Sequence, residues 1–203
     1  MKLGFILECG PIGADLKVCK YLVNRVRPND QVIVATLDNK PKLVTGCGEA
    51  AKQLLISGCS EIFIIWDLFP GWRTAKTKPC RKEDRDNIFE SLKAAEVKIE
   101  LVSLVCIEQE LESWLIADGR AISTFLSTPT RKIKVADAKY PDRLKNPKKK
   151  LNTIFTRARG ENFNYIDHVH AEKLVALIPD FQRLKRSETF KRFYHKLTGN
   201  ALI

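Results

Sequence analysis

Four apolar runs recur through the first half of the 203-residue chain, at residues 3–8, 31–37, 61–67 and 98–107. Between them lie amphipathic helical patterns, at residues 16–26, 48–57 and 83–95. Strands that are apolar throughout are typical of a sheet buried on both faces, and strands that alternate with helices favour parallel pairing. The sequence therefore predicts an α/β fold with a mostly parallel sheet flanked by helices.

The second half of the chain has a different character. Residues 128–150 are strongly basic and contain three prolines, and helical patterns follow at residues 148–159, 165–178 and 187–197. Asn146-Pro147 is typical of a helix start, because proline is tolerated in the first helical turn. We predict an α/β core at residues 1–126 and a basic helical extension, packed on that core, at residues 127–203.

The charge balance narrows the class of partner. The chain has 35 Lys and Arg residues against 24 Asp and Glu residues, a net charge of +11. Such an excess favours a polyanionic partner, most often nucleic acid. No apolar run is long enough to span a membrane, and the first residues lack the apolar region of a signal peptide. The six scattered cysteines include no Cys-x-x-Cys pair, so we expect reduced thiols in a cytoplasmic protein.

Acidic residues stand where the predicted strands end. Glu8 closes the first run, Asp67 closes the third, and Glu108, Glu110 and Glu112 follow the fourth at the start of a helical pattern. Ligands of open α/β sheets collect at the carboxyl ends of the strands, and Mg²⁺ and Mn²⁺ prefer carboxylate oxygens. These acids therefore predict a divalent-metal site. Two other interpretations remain open for the glutamates: a basic partner, or compensation of the helix dipole.

A basic stretch follows Asp67 directly. Its members are Arg73, Lys76, Lys78, Arg81 and Lys82. They could hold phosphate oxygens beside a metal ion at Asp67, or they could form an ordinary solvated surface. A metal, an acid/base group and positive clamps together favour metal-assisted hydrolysis of phosphodiesters.

Three motifs resemble those of Toprim domains. The residues Leu7-Glu8-Cys9-Gly10, followed by Asp15, resemble the first Toprim motif, and Asp67 resembles the first aspartate of the Asp-x-Asp motif. The run Glu110-Leu-Glu-Ser-Trp-Leu-Ile-Ala-Asp118 is similar to a Glu-x-Glu-x-Trp-Leu-x-x-Asp signature. That signature belongs to the Toprim-related domain-of-unknown-function family 4276. Asn146-Pro-Lys148 and Ser187–Phe193 are also similar to the tail of that family.

This resemblance implies a Toprim-like, Rossmann-like core and assigns roles to individual residues. Glu8 would be the general acid/base or a metal ligand, Asp67 a metal ligand, and Glu112 with Glu110 would complete the acidic cluster. Relatives include nucleases of the overcoming-lysogenisation-defect type, and stand-alone members are linked to antiphage defence and a separately encoded ATPase. The implied activity is an Mg²⁺- or Mn²⁺-dependent nuclease that cleaves DNA or RNA, with Glu8, Asp67 and Glu112 as catalytic residues.

One departure from the Toprim pattern supports an alternative. The second aspartate of the Asp-x-Asp motif is replaced by Phe69. A single aspartate holds a metal less firmly, so either the glutamates compensate or activity is lost. The alternative is a degenerate Toprim module that binds nucleic acid or regulates an ATPase. A primase-type activity ranks lowest, because no triphosphate-binding loop is present in the sequence.

Overall fold

The computed structural model describes residues 1–69 and 78–202. The chain divides into two compact units, Met1–Ile107 and Glu108–Ile203. This division lies after the fourth strand, whereas the sequence prediction placed the boundary after residue 126. None of the helices within the described ranges is long and apolar enough to cross a membrane.

The first unit contains a four-stranded sheet, which confirms the predicted α/β class with parallel strands. Its strands are β1 (Lys2–Leu7), β2 (Gln31–Thr36), β3 (Glu61–Asp67) and β4 (Val102–Ile107), in the spatial order β2-β1-β3-β4. All three pairings are parallel. The two central strands, β1 and β3, are almost entirely buried, as their continuous apolar sequences require.

Three helices of the first unit flank the sheet: α1 (Ala14–Val26), α2 (Lys40–Ile56) and α3 (Arg81–Ala94). Buried residues of α2 and α3 form one core with one face of the strands, including Leu43 and Leu92 against Ile62. Gly48 permits close packing of α2 on α3, because a Cβ atom there would stand 2.0 Å from the carbonyl oxygen of Ser91.

Helix α2 begins eight residues earlier than its sequence pattern predicts. Asn39 is its N-cap and accepts a hydrogen bond from the backbone N–H of Lys42 at 3.0 Å, and Pro41 stands in its first turn. Asparagine and proline also mark loops, so these residue types alone do not indicate a helix start. In α1 the N-cap is Gly13, and Asp15 lies inside the first turn instead of capping it.

The second unit is helical. It contains α4 (Glu112–Ile116), α5 (Gly119–Leu126), α6 (Pro147–Arg159), α7 (Asp167–Ala176) and α8 (Glu188–Thr198). Helices α6 to α8 correspond to the three helical patterns predicted there. Trp114 anchors part of this core: its ring packs on Phe190 and Phe193, and its Nε1 donates to Thr189 Oγ1 at 2.8 Å.

The acidic helix is shorter than predicted. Helix α4 begins at Glu112. Glu110 precedes it in a turn closed by the hydrogen bond from Ser113 N to Glu110 O, and Glu108 lies in a bend before that turn. Of the three glutamates predicted at the start of a helical pattern, Glu112 alone lies in the helix. The periodic apolar residues, such as Leu111 and Trp114, are buried as expected, but a buried turn satisfies the same pattern.

Candidate active site

Glu8 and Asp67 lie together at the carboxyl end of the sheet. Glu8 directly follows β1, and Asp67 is the last residue of β3, the strand paired with β1. The backbone N–H of Asp67 donates to Glu8 Oε2 at 3.2 Å. Parallel strands of similar length end at the same edge of a sheet, so two acids separated by 58 residues in sequence meet at one position.

A buried lysine that the sequence analysis missed lies at the same edge. Lys40, the first residue of α2, is only 3% exposed. Its Nζ donates to the backbone oxygen of Leu68 at 2.7 Å, while the N–H of Leu68 donates to Ile107 O at 2.7 Å. The chain leaving β3 is thus held on both sides at Leu68, immediately before Phe69 and the basic stretch.

Asp84, in the first turn of α3, is the second group that sequence reasoning missed. It is 4% exposed, and its Oδ2 accepts a hydrogen bond from Trp66 Nε1 at 3.2 Å and lies 3.8 Å from Lys40 Nζ.

The sequence does contain a signal that could have identified Lys40. A lysine at the start of a helix opposes the helix dipole, so its presence directly after an N-cap asparagine needs another partner.

Burial changes the acid strength of Glu8. Desolvation raises the pKa of Glu8 from its ordinary value of 4.5 to about 7, against the opposing effects of the Lys40 charge and the Asp67 N–H. The negative charges of Asp15 and Asp84 add to the increase. A carboxyl group with this pKa exchanges its proton near neutral pH, which is the property required of a general acid or base.

The thiols beside the site are poor nucleophiles. Burial raises the pKa of Cys9 to about 12, and burial also raises the pKa of Cys106 to about 12 although Arg81 opposes the increase. The thiolate is the reactive form of cysteine, so these groups are unreactive at neutral pH. The reactive groups of this edge are therefore its carboxylates. Arg81, predicted to contact phosphate, lies half-buried beside the Cys106 thiol.

The remaining basic residues predicted for nucleic-acid binding divide into two pairs. Lys78 and Lys82 are exposed. Lys78 precedes the N-cap of α3, Cys80, by two residues, and Lys82 lies in the first turn of the helix. Arg73 and Lys76 fall within residues 70–77, outside the described residues. The exposed pair is thus available to solvent at the N-terminal end of a helix that also carries Asp84.

Glu110 and Glu112 belong to the second unit, where both have partners. Glu112 is 5% exposed, and its Oε1 accepts a hydrogen bond from the Tyr165 hydroxyl at 3.2 Å. Glu110 Oε2 accepts from the backbone N–H of Lys148 at 3.1 Å. The Lys148 ammonium forms an ion pair with Asp167.

Lys148 also compensates the charge of these glutamates. Burial lowers the pKa of Lys148, but its hydrogen bond to Asp167 and the charges of Glu112, Asp167 and Glu110 outweigh burial, and the pKa is raised above its usual value. A basic partner was one of the interpretations left open by the sequence, and Lys148 is that partner. The charges of Glu110 and Glu112 are thus partly neutralised within their own unit.

Glu8 and Asp67 carry the type of donor atom, carboxylate oxygen, that Mg²⁺ and Mn²⁺ prefer. Across residues 1–69 and 78–202, no group of three or more His, Cys, Asp or Glu side chains is arranged to hold a metal. Mg²⁺ usually keeps several waters and is bound through one or two carboxylates together with substrate phosphates. Glu8 and Asp67 are therefore the residues of this edge that would hold such an ion.

Comparisons of the chain with protein-family models, with curated proteins and with solved structures gave no match. The likeness to Toprim domains therefore stays a prediction that rests on the motif residues. Among those residues, Glu8 and Asp67 are the pair joined by a hydrogen bond at the sheet edge.

Proposed function

We propose that this protein is an Mg²⁺- or Mn²⁺-dependent phosphodiester hydrolase acting on DNA or RNA, with Glu8 and Asp67 at its catalytic centre. The observation that carries the proposal is the 3.2 Å hydrogen bond that joins Glu8 to Asp67 at the ends of two paired central strands. Both acids stand at the ligand-binding edge of an α/β sheet, where carboxylates are suited to share a cation with a bound substrate.

Each residue has a distinct part in this proposal. A metal ion held by Asp67 and Glu8 would supply positive charge to phosphate oxygens and acidify a bound water. Where Glu8 acts as the base instead of as a metal ligand, its raised pKa would allow it to take a proton from the attacking water, while the Asp67 N–H fixes one of its oxygens. Lys40 is a positioning residue, because its ammonium holds the Leu68 carbonyl where the chain leaves β3.

Cleavage assays test the proposal directly. Labelled single-stranded and duplex DNA and RNA are incubated with the protein in Mg²⁺, Mn²⁺ or chelator. We expect metal-dependent cleavage that falls by at least roughly a hundredfold in Glu8→Gln and in Asp67→Asn. Glu90→Gln is the matched control, because Glu90 is an exposed residue of α3. Cleavage that persists in chelator, or that both site variants retain, rejects the proposal.

A second candidate is a degenerate module that binds nucleic acid or regulates an ATPase without hydrolysis. Phe69 favours it, because a phenylalanine, 37% exposed, stands where the Toprim pattern has its second metal-binding aspartate. This candidate predicts salt-sensitive binding that Asp67→Ala leaves unchanged, and no turnover with either metal. A role in antiphage defence with an ATPase partner belongs to both candidates and is tested by co-purification with ATPases encoded nearby.

We further propose that the protein acts in the cytoplasm. All six cysteines are free, and four of them are buried. Free thiols are the usual state of cysteine in a reducing compartment. Thiol counting on protein extracted under acid quench should find six reduced cysteines, and oxidised cysteines would contradict the proposal.

A further inference from the structure

An extended segment of the second unit, residues 131–138, runs antiparallel to helix α5. The N–H of Ile133 donates to Ser127 Oγ at 2.9 Å, and the N–H of Val135 donates to Ser123 Oγ at 2.8 Å. Further along, the N–H of Gly119 donates to Asp137 Oδ1 at 3.0 Å. Ser123 of α5 and Ser127, the C-cap of that helix, therefore take the place of a neighbouring strand as hydrogen-bond acceptors for this segment.

The spacing of helix and segment explains this register. Four helical residues rise about 6.0 Å, and two extended residues advance about 6.6 Å, so serines four apart meet alternate N–H groups. Gly119 permits the close approach, because a Cβ there would lie 2.4 Å from the oxygen of Val135. As a result Ile133 and Val135 are half-buried, while Lys132 and Lys134 are exposed.

A cleft of about 390 Å³ lies between this segment and helix α6. We call it the basic cleft. Its cationic lining consists of Arg131, Lys132, Lys134 and Arg157. Its apolar lining consists of Ile133, Val135, Ile154 and Ala158. A neighbouring cavity of about 490 Å³ shares Lys132 and is lined mainly by hydroxyl side chains of α5 and the turn after it.

Among the described residues, the cations of the basic cleft have no acidic counterparts. In the part of the chain that the structure describes, none of the four lies within 4.0 Å of a carboxylate oxygen. Residues 120–159 contain 12 Lys and Arg residues against two acids. Both acids are engaged elsewhere: Asp137 pairs with Arg183 and Arg186, and Asp142 accepts from Ser187 and Thr189. The cleft therefore carries a local excess of positive charge.

We propose that the basic cleft binds single-stranded nucleic acid. Phosphates would lie against Lys132 and Lys134, whose side chains are spaced by two extended residues, with Arg131 and Arg157 at the same cleft. The apolar lining would take the face of a base. A paired and stacked base cannot reach such a lining, whereas the bases of a single strand can. An acidic peptide would satisfy the cations and leave the apolar lining unused.

Binding is measured in chelator, so that its outcome is independent of hydrolysis. The full chain is titrated against a short labelled oligothymidylate by fluorescence anisotropy over a range of salt concentrations. Lys132→Glu/Lys134→Glu should weaken binding by roughly tenfold or more and lower the salt slope by about 1.4, the value for two lost phosphate contacts. Lys173→Glu/Lys196→Glu is the matched control, because it reverses two exposed lysines of α7 and α8.

Two further measurements separate the possible ligands. An abasic oligonucleotide of equal length should bind more weakly than oligothymidylate if a base contacts the apolar lining. Polyglutamate of equal charge should compete poorly. Equal losses in the cleft and control variants overturn the proposal, as does polyglutamate competition as strong as that of oligothymidylate. Circular dichroism establishes that both double variants are folded, and the same anisotropy assay on duplex DNA should show weaker binding.

Discussion

Lys40 and Asp84 form a buried ion pair at the carboxyl end of the sheet, with 3.8 Å between Nζ and Oδ2. The lysine begins α2 and the aspartate lies in the first turn of α3, so the pair joins two helices above the strand ends. The same lysine lowers the pKa of Glu8 through its charge, against the larger effect of burial. The Lys40 ammonium therefore affects both the stability of the fold and the pKa of Glu8.

Removing Lys40 should be costly for this reason. Lys40→Met leaves the Asp84 carboxylate buried without its cation, and we expect the free energy of unfolding to fall by about 3 to 5 kcal/mol. Urea denaturation followed by tryptophan fluorescence measures the change. The double variant Lys40→Met/Asp84→Asn should lose less unfolding free energy than the sum of the losses in the two single variants. If the losses of the two single variants simply add in the double variant, the ion pair between Lys40 and Asp84 is contradicted.

The carboxyl group of Glu8 should make stability depend on pH. Its pKa is about 7 in the folded protein against 4.5 ordinarily, so its contribution is fully present below pH 4.5 and is lost as pH rises through 7. Glu8→Gln removes the titrating group, so this variant does not lose stability in that way as the pH rises. In chelator at pH 8 the variant should exceed wild type in unfolding free energy by up to about 3 kcal/mol, while activity falls.

The measurement is urea denaturation of both proteins at several pH values from 4.5 to 8. The difference between Glu8→Gln and wild type should grow with pH from 4.5 to about 7 and level off above about 7. Glu90→Gln, at an exposed position of α3, should show no such trend. A difference that stays constant with pH would show that Glu8 is not the buried acid described here.

The sequence predicted those features that depend on local pattern and simple topology. Continuous apolar runs identified all four strands, and acids at their ends identified Glu8 and Asp67, because parallel strands end at one edge. Lys40 was missed for a physical reason. Asn39 and Pro41 mark loops and helix starts equally well, and only the observed cap places the lysine inside the first turn.

The other features that the sequence did not predict depend on tertiary contacts, which leave no periodic pattern in the sequence. Asp84 has the sequence context of any acid in a first helical turn, and its indole partner Trp66 is 18 residues away. The segment at residues 131–138 alternates between exposed and half-buried residues as an extended chain does, but this alternation does not indicate that Ser123 and Ser127 hold it. Such contacts follow from tertiary structure alone.

Glu112 should behave differently from Glu8 in activity assays. Its carboxylate accepts from Tyr165 and lies in the field of Lys148, which indicates a structural role in the second unit. Glu112→Gln keeps an acceptor for the tyrosine, and we expect turnover within about threefold of wild type. Glu112→Ala removes it and should lower the free energy of unfolding by about 1 to 3 kcal/mol. A loss of turnover in Glu112→Gln equal to that in Glu8→Gln would restore Glu112 to the catalytic centre.

The close approach at Gly119 links the stability of the second unit to the basic cleft. In Gly119→Ala the new methyl group would meet the oxygen of Val135 at 2.4 Å, so the segment at residues 131–138 must shift. We expect a loss of about 1 to 3 kcal/mol in the free energy of unfolding, together with weaker oligonucleotide binding.

Gly46→Ala is the control for this substitution. Gly46 lies inside α2, and a methyl group there would have its nearest neighbour 4.0 Å away, on the side chain of Leu37. Alanine should therefore raise the free energy of unfolding by about 0.5 to 1 kcal/mol through helix propensity and leave binding unchanged. Urea denaturation and the chelator-based anisotropy assay measure both effects. If Gly119→Ala is destabilised but keeps full oligonucleotide affinity, this expectation is contradicted. The cations of the basic cleft would then bind the oligonucleotide whether or not the segment keeps its position against α5.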